Sequence, residues 1–168
     1  MMHCVIKKYK VLIDGVVSKS KNSKINNLYN IHDNAINNTN NNTNNIIFNG
    51  PVNFGDEDIS KIKKIDILSA IKTLTDCFPN FIKIINLNSE HPENQNILFN
   101  NMQNNIGTIV EDNKLVVKTK TEIISEVIST RLPNLESIVE KYYEEKLLSK
   151  REYIAIKELM TFLQRGLF

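Results

Sequence analysis

Apolar and polar positions change period several times along the chain, and each change predicts an element. Residues 3–17 (HCVIKKYKVLIDGVV) hold two short apolar runs around a basic centre. They read as a short strand or hairpin, which is marginal in water without a partner. Residues 18–45 carry no apolar run, yet Ile25, Leu28, His32, Ala35, Thr39, Asn42 and Ile46 recur at steps of three and four. That is heptad spacing, open to a weak parallel coiled coil or to a linker without a core. Over 58–76, Ile62, Ile65, Leu68, Ile71 and Leu74 keep a three-residue step, predicting one helix or two short ones broken near Asp66. Pro79 suits the first turn of a further helix with Phe81, Ile82, Ile84, Ile85 and Leu87. HPENQN (91–96) reads as a polar loop, bonding its own backbone.

Three short antiparallel strands follow at 97–100, 106–111 and 114–119, with Asp112-Asn113 as the tight turn between the last two. From 121 to 147 the period is helical, in two stripes: Ile124, Val127 and Ile128, then Leu135, Ile138, Val139 and Tyr142. Pro133 lies between them and predicts two helices. A last helix over about 150–165 repeats the pattern with Tyr153, Ile156, Met160 and Leu163. The expected fold is α+β: a small three-stranded antiparallel sheet with several packed helices, preceded by an Asn-rich connector.

Composition sharpens the boundaries. Of 168 residues, 25 are Asn, 24 Ile and 18 Lys, against 3 Arg and no Trp, the bias of an AT-rich coding sequence. Thirteen of the Asn fall between 22 and 49. The chain therefore divides into a basic segment (1–20), an Asn-rich low-complexity connector or weak coiled coil (21–47) and an α+β domain (48–168). No run approaches the length of a membrane span. Two Cys, far apart and without ligand-spaced partners, suggest free thiols in a reducing compartment. The start of the chain, interrupted by Lys7, Lys8, Lys10 and Asp14, does not read as a secretory signal.

The overall charge is only +2, but Lys7, Lys8, Lys10, Lys19, Lys21 and Lys24 concentrate +5 in the first 24 residues. Such an arm would contact phosphates by counterion release, or be a solvated tail. Catalytic patterns are scarce. The five Gly are scattered, no Ser lies in a nucleophile elbow, and His91 has only Glu90 and Glu93 nearby. A His with two carboxylates on one loop is a thin metal cage. The acid run Asp56-Glu57-Asp58 precedes an apolar helix, which favours capping. No cofactor and no enzymatic activity are expected.

The order of features resembles a known arrangement: an Asn/Thr-rich segment, NFGDEDIS (53–60), an Ile/Leu helix, HPENQN (91–96) and FNNMQNNIGTIVEDNKLVV (99–117). It is similar to the C-terminal domain of uncharacterised proteins of giant DNA viruses of the mimivirus type, over about residues 36–150. Those proteins often place a zinc finger before an Asn-rich connector. Here Cys4 and His3 lack partners, and Leu115 or Val116 stands where the family has an aromatic. The resemblance implies a viral source, a location in the host cytoplasm or virus factory, and no assigned activity. It carries over no site residues. The functional expectation is a self-associating interaction module, a homo-oligomer with contacts at Ile25, Leu28, Ala35 and Ile46 or along the C-terminal helices. The alternative is nucleic-acid binding through the Lys-rich arm.

Overall fold

A computed structural model describes residues 50–99 and 105–165. The connector and the Lys-rich arm lie outside the described residues. The domain is α+β, with a three-stranded antiparallel sheet and four α-helices.

The chain first forms a strap, residues 50–58, then a 3₁₀ turn at Ile59–Lys61. Helix α1 spans Lys64–Ile71 and α2 spans Cys77–Asn86, joined through a second 3₁₀ turn at Leu74–Asp76. The break expected near Asp66 falls earlier, at Ile62–Lys63, so that Asp66 occupies the first turn of α1. There its charge complements the helix dipole. The three-residue stripe is only partly used. Ile62 and Ile71 are buried, whereas Ile65 is 66% exposed, because α1 turns Ile67, Ala70 and Ile71 inward instead. Pro79 stands in the first turn of α2, where its missing N–H would have had no partner anyway.

Strands β1 (Ile97–Leu98), β2 (Ile106–Glu111) and β3 (Lys114–Thr119) lie in that order. Ile109 sits opposite both Ile97 and Val116. Asp112 and Asn113 have φ of 49° and 56°, the two positive values a type I′ hairpin requires. Pairing sorts the sheet into two faces. Gly107, Ile109, Val116 and Lys118 share the face towards α3, while Ile106, Thr108, Val110, Leu115 and Val117 share the other. At Gly107 a Cβ would meet the Phe99 ring at 2.5 Å and Ile123 at 2.9 Å, so only glycine allows this approach.

Helix α3 runs unbroken over Lys120–Glu144, 25 residues with Pro133 inside it. This corrects the expectation of two helices. Pro133 and Ser129, whose carbonyl loses its donor, are both exposed, so water can replace the missing bond. Buried Leu132 and Leu135 on either side bind the two halves into one core. Thr119 and Glu122 form a capping box at the start of α3. At its end Lys146 takes φ 59° while the Leu147 N–H donates to Tyr142 O at 2.9 Å and Lys146 N–H to Tyr143 O at 3.0 Å. That is a Schellman stop. Helix α4, Lys150–Arg165, then folds back on α3, burying Ile156, Met160 and Leu163. One apolar cluster joins all four helices to Ile97 and Ile109. No helix among the described residues is long and apolar enough to cross a membrane.

Candidate functional site

The described residues hold two places where chemistry departs from simple core packing: a sealed polar centre and the outer face of α4. The polar centre grows from the strap. Glu57, read from the sequence as one of three capping acids, is buried and ion-paired with Arg131 of α3, itself fully buried. One Glu57 oxygen accepts from Asn86 Nδ2 and from Asn96 Nδ2, each at 2.6 Å. The other accepts from the Gly55 N–H at 2.9 Å. Asn96 Nδ2 also donates to Val52 O at 3.1 Å, and Asn86 Nδ2 to Asn96 Oδ1 at 3.0 Å. The Phe54 ring covers the Arg131 guanidinium at 4.8 Å.

This centre ties four separate pieces together: strap, α2, the approach to β1, and α3. It also corrects the reading of HPENQN. Asn94 and Asn96 are buried, and the Asn96 side chain bonds the strap, while its backbone N–H stays in the loop and donates to Asn94 O at 2.9 Å. The acid run is split by tertiary structure. Asp56 accepts from Asn53 Nδ2 at 3.0 Å, Glu57 goes inside, and Asp58 caps the short turn by accepting from the Ser60 N–H and hydroxyl. The Ser60 hydroxyl holds the Asp58 carboxyl below its ordinary value. Buried Arg and Asn are weak sequence signals singly. The sequence carries a cue for Asn86 and Arg131, which interrupt apolar helix faces, but none for Glu57, which lies between two other acids.

As a chemical site this centre is closed. Arg131 Nε and Nη1 have no hydrogen-bond partner among the described residues, but the guanidinium has no exposed surface. Its work is structural: a carboxylate held by a cation and three N–H groups fixes the strap against the domain.

The other expected site residues are placed as follows. His91 Nδ1 lies 3.4 Å from Glu93 Oε1, and Glu90 bonds Lys63 Nζ at 3.1 Å. The Glu93 carboxyl is lowered by its own backbone N–H. No three of His, Cys, Asp and Glu gather as a metal cage among the described residues. The Cys77 thiol is buried, which pushes its pKa up to about 12. It is an inert core side chain. Lys7, Lys8, Lys10, Lys19, Lys21 and Lys24, together with Ile25, Leu28, Ala35 and Ile46, lie outside the described residues. A shallow groove of about 520 Å³ between α1 and α2 has Ala70, Ile84 and Leu87 in its wall and Asp66, Lys83 and Glu90 at its rim.

The α3–α4 pair supplies the second place. On its flank Tyr143 and Tyr153 stack with ring centroids 4.2 Å apart. Tyr153 donates its hydroxyl to Glu140 at 2.8 Å, and Lys157 bridges Glu136 and Glu140 at 2.5 and 2.9 Å. These bonds, that of Lys157 first, hold the Glu140 carboxyl below its ordinary value. They also raise Lys157 above the usual lysine range. The exposed side of α4, next to this network, carries Ile154 and Ala155 among Lys150, Arg151 and Glu158. Comparison of the chain with protein-family models, with curated proteins and with solved structures finds no match.

Proposed function

We propose that the protein is a non-enzymatic interaction module that self-associates. One observation carries this reading. Ile154, at 45% exposure, stands on the outer side of α4, with Ala155 beside it and charges of both signs around them. An apolar centre with a charged rim is the make-up of a contact surface. The sealed Glu57–Arg131 centre supports the same reading, because the most unusual polar group of the domain holds the strap and faces no solvent. The heptad spacing of Ile25, Leu28, Ala35 and Ile46 would add a second contact, and linked weak sites gain from effective concentration. The resemblance to giant-virus domains supports a module that accompanies other domains, in the host cytoplasm or virus factory. Sedimentation velocity of the full chain over a wide concentration range tests the proposal. A rising average mass is the expected result, and a monomer throughout would refute it.

A second reading, nucleic-acid contact, is favoured by the six Lys of residues 1–24. If all six neutralise phosphates on duplex DNA, log K should fall against log salt with a slope of about −5. Absent binding, or binding indifferent to salt, would remove it.

A further inference from the structure

The outer face of α4 carries a charge pattern that is its own complement. Ile154 is on the side of the helix away from buried Ile156, Met160 and Leu163. Lys150 lies four residues before it and Glu158 four residues after, both exposed. Four residues span about 6 Å along the axis, so the three side chains form one ridge. Arg151, also exposed, flanks the ridge one residue after Lys150. The ion pairs that α4 makes to α3 use Lys157. Among the described residues none uses Lys150, Arg151 or Glu158.

We infer that this ridge packs antiparallel against the same ridge of a second copy, on a two-fold axis through Ile154. The inference rests on the self-association reading and gives it a surface and a register. In a two-fold antiparallel pair, the position four before the axis faces the position four after it. Lys150 therefore meets Glu158 of the second copy, and the symmetry repeats the pair, while Arg151 faces Lys157, whose charge is already taken up by Glu136 and Glu140. Ile154 meets its own copy at the centre, with Ala155 small enough to admit the neighbouring backbone. Other arrangements lose this match. A parallel pairing would set Lys150 against Lys150 and Glu158 against Glu158. Sliding the antiparallel pairing by two turns would put the two Glu158 on the axis and Arg151 opposite Arg165. Like charges in contact disfavour both. One helix face is small beside the roughly 800 Å² per partner of a standard interface. The pair is accordingly weak, and the rest of the chain has room to strengthen it.

The test uses the full chain, by sedimentation velocity at several concentrations, with circular dichroism as the check on folding. All the substituted side chains are exposed, so the fold should be unchanged. Ile154→Asp should raise the dissociation constant by about tenfold or more. Glu158→Lys, which leaves only like charges along the ridge, should also weaken association. The reversed set Lys150→Glu, Arg151→Glu and Glu158→Lys together should recover association to within about threefold of the original. Recovery is the outcome that only the two-fold register explains. Association indifferent to Ile154→Asp would overturn the α4 surface while leaving self-association standing. Failure of the reversed set to recover would overturn the register. A native chain that stays monomeric would overturn both readings.

Discussion

At the scale of single residues, burial sets the consequence of a change more than residue type does. Glu57 and Arg131 are both fully buried at their side chains. Replacing Glu57 by Gln keeps the shape but leaves the guanidinium charged and uncompensated, a defect that costs about 3–5 kcal/mol. Chemical denaturation should show that loss, whereas Asp56→Asn on the exposed neighbour should stay within about 0.5 kcal/mol. A combined Glu57→Leu and Arg131→Met change should recover only part of the stability lost by Glu57→Gln, since it removes both desolvated charges but takes their acceptor from the Gly55, Asn86 and Asn96 N–H groups. Gly107 makes a second residue-scale case. Its absent Cβ is the space that Phe99 and Ile123 occupy. Gly107→Ala should destabilise by about 1–3 kcal/mol through overpacking, measurable in the same unfolding experiment.

At the scale of elements, the ends were legible and the middles less so. The hairpin turn Asp112-Asn113 follows from two residues that tolerate positive φ, and the structure has both there. The capping box of α3 is written as Thr119 and Glu122, and α4 starts similarly, with the Ser149 N–H donating to Glu152 Oε2 at 2.7 Å. Both motifs sit in the sequence as Thr or Ser followed three residues later by Glu. The end of α3 carries a local misfit. Lys146 occupies the left-handed position that glycine normally fills in a Schellman motif. Lys146→Gly should therefore raise stability by up to about 1 kcal/mol, as the backbone strain is relieved. A thermal melt of the variant checks the sign. Pro133 illustrates the opposite limit. Local rules make it a helix stop, and packing of Leu132 and Leu135 into the shared core overrides them.

For the whole molecule, the distribution of carboxylates predicts how stability follows pH. Glu122, Glu140, Glu145 and Glu152 all lie below their ordinary values, held chiefly by Thr119, Lys157, Lys64 and Ser149 respectively. A carboxylate lowered by folding adds stability above its ordinary value and loses it as pH falls through the folded one. The melting temperature should thus be nearly level from pH 7 to pH 5 and decline below about pH 4.3. Lys157 has the reverse sign. Its raised value adds stability that is complete below the ordinary lysine pKa and disappears only in stronger alkali. A scan in which melting temperature rose on acidification would contradict this account. Added salt should narrow the acid effect, since these groups are mostly solvent-facing.

The chain alone determined what depends on neighbours in sequence. Period of two against period of 3.6 separated strands from helices, turn chemistry placed the hairpin, and composition marked off the Asn-rich stretch. These follow from contacts within a few residues, which the order of side chains specifies directly. Only the tertiary structure decided which of three adjacent acids is buried. It also decided that Asn86 and Asn96, 10 residues apart, both bond one carboxylate, and that Ile65 and Ile154 are left outside. Each of those outcomes turns on which distant element lies across a given face. Glu57 becomes a core residue because Arg131, 74 positions later, is brought against it. Local pattern carries no information about that meeting, and the candidate surface on α4 likewise exists only because α3 takes its other side.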